Sequence, residues 1–167
     1  MMDILQKMST MGSTDKDAAE TAPHLPIKIV THDGGYFSVL ESDKTTKHGK
    51  CVKMYDSGKV QYTCEYNNGK IHGRYVEYYD MLDELENEQP IYRIIEYNMG
   101  KKNGGYVTYD KSGHLGESRK YSSGLLHGTY LVTDDNGFQT MILYIKGIPA
   151  HMYVKRPEHA IELQITL

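Results

Sequence analysis

The dipeptide Asn68-Gly69 lies inside the phrase Tyr66-Asn67-Asn68-Gly69-Lys70-Ile71-His72-Gly73-Arg74-Tyr75-Val76-Glu77-Tyr78-Tyr79. Asn-Gly between strand-forming residues is a strong short signal for a two-residue β-hairpin, because a type I′ turn needs positive φ at both central residues. Strands are therefore expected on both sides of it. Parts of the phrase return along the chain, which makes it the unit of a repeat.

His-Gly occurs at His48-Gly49, His72-Gly73 and His127-Gly128, with Asn103-Gly104 as a variant. The four glycines stand 24, 31 and 24 residues apart, a 24-residue period with seven extra residues in the second unit. Nine residues after the unit glycine comes an outer turn, at Asp56-Ser57-Gly58, Lys111-Ser112-Gly113 and Asp135-Asn136-Gly137. In the second unit an insertion, Asp80 to Pro90, takes its place. Each unit ends in a closing turn, at Asn67-Asn68-Gly69, Asn98-Met99-Gly100, Ser122-Ser123-Gly124 and Ile145-Lys146-Gly147. Tyr66, Tyr97, Tyr121 and Tyr144 each precede the closing glycine by three places.

Turns this short allow only antiparallel neighbours, so an all-β, elongated antiparallel meander of repeated hairpins is predicted. Opening strands carry Cys51, Tyr75, Tyr106 and Tyr130 in one column and Val52, Val76, Val107 and Leu131 in the next. Successive strand residues face opposite sides. The Val/Leu column is the expected core face, and the Cys/Tyr column the expected solvated one. Closing strands are predicted over Val60 to Tyr66, Ile91 to Tyr97, Leu115 to Tyr121 and Phe138 to Tyr144.

Three segments follow from this pattern. Residues 1–26 form an arm and linker, with Ile4, Leu5, Met8 and Met11 on one face of a short helix and a polar stretch from Gly12 to Pro26. Residues 27–147 are the array, its first unit (27–47) degenerate. In residues 148–167 the alternation of Ile161, Leu163, Ile165 and Leu167 predicts a terminal strand that either caps the sheet or adds to another subunit. Both this strand and the arm's apolar stripe are candidate partner contacts.

The 167-residue chain has net charge −3, without the clustered basic excess that marks nucleic-acid binding. Aromatic usage is skewed, with 15 Tyr, 2 Phe and no Trp. Tyr suits a thin sheet, since it combines strand propensity with a polar tip. No apolar run approaches the roughly 20 residues that cross a bilayer, and no secretory signal opens the chain. Cytosol, or a particle assembled in it, is the expected location. Cys51 and Cys64 are equidistant from Ser57-Gly58, so a two-residue turn would set them face to face. They read either as a bonded pair or as two half-buried thiols, and a reducing compartment favours thiols.

Metal chemistry is not expected. His48, His72 and His127 hold equivalent places in successive units, roughly 10 Å apart at two strands per unit, whereas Zn–N bonds are about 2 Å. Each His is expected to pack or hydrogen-bond beside the closing turn. The acidic insertion, with Asp80, Asp83, Glu84, Glu86 and Glu88, lacks the ligand alternation and glycine of a Ca²⁺ loop. It reads as a solvated loop. No nucleophile elbow or activated cysteine is evident, and the glycines follow the turn period rather than a phosphate cradle. No cofactor and no catalytic residue are expected.

The phrases Tyr66-x-Asn68-Gly69-Lys70-x-His72-Gly73 and Gly124-x-x-His127-Gly128-x-Tyr130 resemble the MORN repeat, and more closely its 24-residue variant found in bacterial antitoxin-like proteins and large DNA viruses. The resemblance spans Lys47 to Gly147 clearly and Ile27 to Lys47 weakly. Asn103, the insertion and the shortened last unit depart from it. It implies a β array used for protein contacts and oligomerisation, as a non-catalytic scaffold in a larger assembly such as a large-DNA-virus particle. An antitoxin-like regulator that binds a partner protein and a peripheral lipid-binding module are the alternatives. The net charge of −3 argues against the lipid module.

Overall fold

The computed structural model describes residues 26–32, 34–81, 88–134, 136–155 and 163–166. The predicted helical stripe of Ile4, Leu5, Met8 and Met11, and Ile161 near the other end, lie outside these residues. Twelve strands run in chain order across one open sheet: β1 (Ile27–His32), β2 (Gly35–Leu40), β3 (Lys47–Met54), β4 (Val60–Asn67), β5 (Lys70–Tyr78), β6 (Ile91–Asn98), β7 (Lys101–Tyr109), β8 (Leu115–Ser122), β9 (Leu125–Thr133), β10 (Gln139–Ile145), β11 (Ile148–Lys155) and β12 (Leu163–Thr166). All neighbours are antiparallel. No helix occurs among the described residues. Eleven steps of about 4.8 Å make the sheet roughly 50 Å wide along its hydrogen bonds.

Two kinds of hairpin alternate. The closing turns are two-residue loops with positive φ at both central positions, at Asn68 (46°) and Gly69 (77°), Met99 (48°) and Gly100 (85°), Ser123 (52°) and Gly124 (90°), and Lys146 (50°) and Gly147 (84°). That is the type I′ signature. The outer turns are one residue longer than the two-residue loop expected about Ser57-Gly58. Gly58 N–H donates to Tyr55 O and Tyr55 N–H to Lys59 O, so the loop is Asp56-Ser57-Gly58. Gly113 closes the equivalent loop on Asp110, and Gly137 follows Asn136 in the loop closed on Asp134. Gly58, Gly113 and Gly137 adopt φ of 82°, 81° and 80°, the conformation that completes a type I turn with a glycine bulge.

His-Gly does not begin a strand but lies within one. Strands β3, β5, β7 and β9 each run through it, and the partner register slips there, for example between Thr63↔Val76 and Glu65↔His72. Two extra residues on the opening strand are absorbed as a bulge, with Gly49, Gly73, Gly104 and Gly128 at φ between 76° and 107°.

Burial corrects the expected one-sided core. Val52 (7% exposed) and Val76 (8%) are buried on the expected face, but Cys51 (5%), Cys64 (4%) and Ile95 (4%) are buried on the opposite one. Register puts Cys51 opposite Cys64 and Tyr75 opposite Ile95, so these residues share the tyrosine side. Tyrosine rings and the stems of Lys and Arg shield small side chains between them, and the face assumed to be wet is partly dry. Val107 and Leu131 are only half-buried, and the buried set ends at Ile95.

The C-terminal strand caps the sheet within the chain: Leu163 and Ile165 in β12 pair with Val154 and Met152 of β11. Strand β11 itself continues the meander past Gly147 through a fourth closing turn.

Candidate functional site

Each opening-strand glycine lies directly opposite the tyrosine that precedes the closing turn: Gly49↔Tyr66, Gly73↔Tyr97, Gly104↔Tyr121 and Gly128↔Tyr144. Three of these tyrosines meet the opening-strand tyrosine two residues after the glycine. Ring centroids are 6.3 Å apart for Tyr75 and Tyr97, 6.4 Å for Tyr106 and Tyr121, and 6.5 Å for Tyr130 and Tyr144. Tyr62 stacks on Tyr75 at 5.1 Å. The repeat signature thus builds a ladder of ring pairs on one face.

Cations are threaded through the ladder. Lys47 Nζ lies 4.7 Å from the Phe37 ring and 5.1 Å from Tyr66. Lys102 Nζ lies 5.1 Å from Tyr106 and 5.2 Å from Tyr121, and the Arg119 guanidinium sits 5.3 Å from Tyr106 and 5.0 Å from Tyr130. These are cation–π distances. Arg119 is ion-paired with Glu117, and Arg93 on the same face with Glu77, so both arginines carry their own counter-ions. Burial pushes the Tyr66 hydroxyl up to about 12, so it stays protonated as a donor at neutral pH.

The histidines are consumed by the fold. Nδ1 of His48, His72 and His127 accepts the N–H of Asn68 (3.3 Å), Met99 (3.4 Å) and Lys146 (3.3 Å), the first central residue of each closing turn. Asn103 Oδ1 accepts Ser123 N–H at 3.0 Å in the same way, so the one departure from His keeps the acceptor. The next turn residue, the glycine, donates back to the opening strand: Gly69 to Lys47 O, Gly100 to Ile71 O, Gly124 to Lys102 O and Gly147 to Leu126 O, all at 2.7 or 2.8 Å. Among the described residues no three His, Cys, Asp or Glu side chains converge as a metal site.

Along the closing-turn edge the structure groups three residues that sequence reasoning did not connect. Leu125 is 54% exposed, Ile145 51% and Ile148 70%. Ile145 and Ile148 pair across the fourth closing turn, and Leu125 Cδ2 lies 3.7 Å from where a Cβ on Gly147 would stand. The equivalent positions of the earlier hairpins are Asn67 with Lys70 and Asn98 with Lys101. The signal was present as a polar-to-aliphatic change in a repeat column, but only the register joins Leu125 to the neighbouring turn.

On the opposite face a groove of about 630 Å³ runs beside the insertion, with Arg74, Ile94, Tyr109 and Ser112 in its walls. Gln89 anchors the insertion's end: its Nε2 donates to Val60 O (2.6 Å) and Tyr79 O (2.7 Å). Nothing in the spacing marked Gln89 for this role. Residues 82–87, with most of the insertion's acids, lie outside the described residues. No described helix is long and apolar enough to cross a membrane.

No protein-family model matches the sequence, and no curated protein matches it.

Proposed function

We propose that this chain is a non-catalytic, MORN-like β-repeat scaffold that joins other proteins in a larger assembly, with a minor structural role in a large-DNA-virus particle as its setting. The observation that carries the reading is the aliphatic corner of Leu125, Ile145 and Ile148. Large aliphatic side chains left in water at positions where the preceding hairpins hold Lys and Asn are explained by a partner that covers them. Burying one such side chain against a partner yields about 1.5 to 3 kcal/mol. The tyrosine and cation ladder adds the residue types enriched at protein interfaces, amphipathic rings and arginine. The signature histidines, in contrast, serve the turns.

A photo-crosslinking amino acid placed at Leu125 or Ile148, and in parallel at Lys70 or Lys101, tests this in the native source. Cross-linking to one defined polypeptide from 125 and 148, and not from 70 and 101, supports the scaffold reading. Equal or absent cross-linking from all four overturns it. If the captured polypeptide is a toxin silenced by the chain, the regulator replaces the scaffold.

A further inference from the structure

Cys51 stands in the tyrosine column, with Cys64 across from it on the same face, and their geometry is specific. Cys51 and Cys64 are directly opposite on β3 and β4, and both are unoxidised thiols. Backbone groups along a strand point alternately to its two neighbours. In β4, Asn67 closes the two-residue turn with Lys70 and so bonds toward β5, which leaves Cys64 and Tyr66 bonding toward β3. From the other end, Tyr55 N–H bonds Lys59 O, and stepping back by twos through Lys53 brings Cys51 to a hydrogen-bonded position. The two ends agree that Cys51↔Cys64 is a hydrogen-bonded pair.

This has a chemical consequence. Across such a pair Cα atoms are about 5.5 Å apart, inside the range a disulfide spans. The Cβ atoms, however, lie near the wide end of the cross-strand range, about 5.5 Å, where a relaxed disulfide wants about 3.5 to 4.5 Å. A bond can form with a small inward movement, and it is strained once formed. Strained disulfides are the readily reduced ones.

We propose that Cys51 and Cys64 form a reversible dithiol/disulfide site, oxidised and reduced by thiol–disulfide exchange with a glutathione-type small-molecule disulfide. In the forward direction Cys51 gives its proton to solvent and the thiolate attacks one sulfur of the reagent, making a mixed disulfide and releasing the other half as a thiolate, which takes a proton back from solvent. Cys64 sulfur then attacks the Cys51 sulfur and expels the second half, its proton passing to a departing thiolate. Two protein thiols become one disulfide, and the reagent leaves as two thiols carrying the two electrons.

Local chemistry assigns the two roles. The Cys64 thiol donates to Cys51 and, with the Lys47 ammonium close to both sulfurs, holds the Cys51 thiol below its ordinary range. Cys64, as the donor, is pushed the other way. Cys51 is thus the attacking sulfur and Cys64 the resolving one. Both are nearly closed to water, so the reagent reaches them only as the side chains over them move aside: Tyr66 is hydrogen-bonded to Cys64, with Lys47 over its ring.

The test treats the full chain with oxidised glutathione, quenches in acid and weighs the intact protein. The expected product is the chain less two hydrogens, without a glutathione adduct, and reduced glutathione alone returns it to the dithiol. In C64S a stable adduct accumulates on Cys51; in C51S modification slows by about tenfold, following the lost thiolate. Lys47→Met leaves the cysteines in place and slows oxidation at pH 7 by about threefold, a difference that fades at alkaline pH. A dithiol that stays unoxidised under excess oxidised glutathione while the sheet remains folded overturns the proposal. So does a disulfide that reduced glutathione cannot open, which would make the bond a structural one.

Discussion

Gly49 on β3 lies directly opposite Tyr66 on β4, and Gly73, Gly104 and Gly128 stand in the same relation to Tyr97, Tyr121 and Tyr144. The glycine holds a left-handed bulge, and the tyrosine across from it leads into the closing turn. The two halves of the repeat signature are thus one cross-strand pair.

Alanine at these glycines separates backbone strain from crowding. A Cβ at Gly73 meets nothing within 4 Å, so Gly73→Ala costs only the left-handed backbone, about 1 to 2 kcal/mol. At Gly104 the added Cβ collides with the Glu96 carboxylate, which accepts the Gly105 N–H at 2.6 Å. Gly104→Ala is therefore the more damaging change. Urea midpoints at unchanged slope will rank the two variants, and equal losses would refute the crowding argument.

The acceptor at the His position can be exchanged. His72→Asn should retain stability, as Asn103 does naturally, while His72→Ala should lose about 0.5 to 1.5 kcal/mol with the bond from Met99 N–H. Amide hydrogen exchange gives the local readout: the Met99 amide speeds up in the alanine variant alone.

Two closing turns use residues poorly suited to positive φ, Met99 at 48° and Lys146 at 50°. Asn tolerates this conformation and leads type I′ turns. Met99→Asn and Lys146→Asn should each stabilise by about 0.5 to 1 kcal/mol, seen as a higher thermal midpoint. No gain in either variant would count against the turn assignment.

The loop between β2 and β3 supplies a pH signature. Thr46 side-chain and backbone bonds, followed by the Thr45 N–H, hold the exposed Asp43 carboxyl down to about 2. A lowered carboxylate favours the folded loop above its ordinary pKa of about 4, and this is lost as pH falls through about 2. Carbon-detected NMR should find Asp43 titrating well below the usual carboxylate range, with the Thr45 and Thr46 amides shifting together. An ordinary midpoint would show that the loop bonds are absent in solution.

Much of the sheet was legible because its information is local. Asn-Gly, Ser-Gly and the spaced glycines specify turns through φ alone, and turns this short leave antiparallel neighbours as the only pairing. Closing strands were read to within a residue or two of their observed ends, and the histidines' place beside the closing turn followed from their column. Cys51 opposite Cys64 was also legible, although the assumed two-residue turn was not: a three-residue loop and a register slip after Lys53 together restore the same pairing.

What escaped the sequence depends on distances between units. Which face is dry was decided by how Tyr and Lys side chains lie over their neighbours, and Cys51, Cys64 and Ile95 went to the side thought wet. The aliphatic corner needed the register that sets Leu125 beside Gly147, and Gln89 had to be seen reaching two carbonyls. Turn chemistry is written residue by residue, so this chain's own letters determined a twelve-stranded meander's connectivity. Burial and side-chain partnership arise only when strands from different units meet, and those the tertiary structure decided.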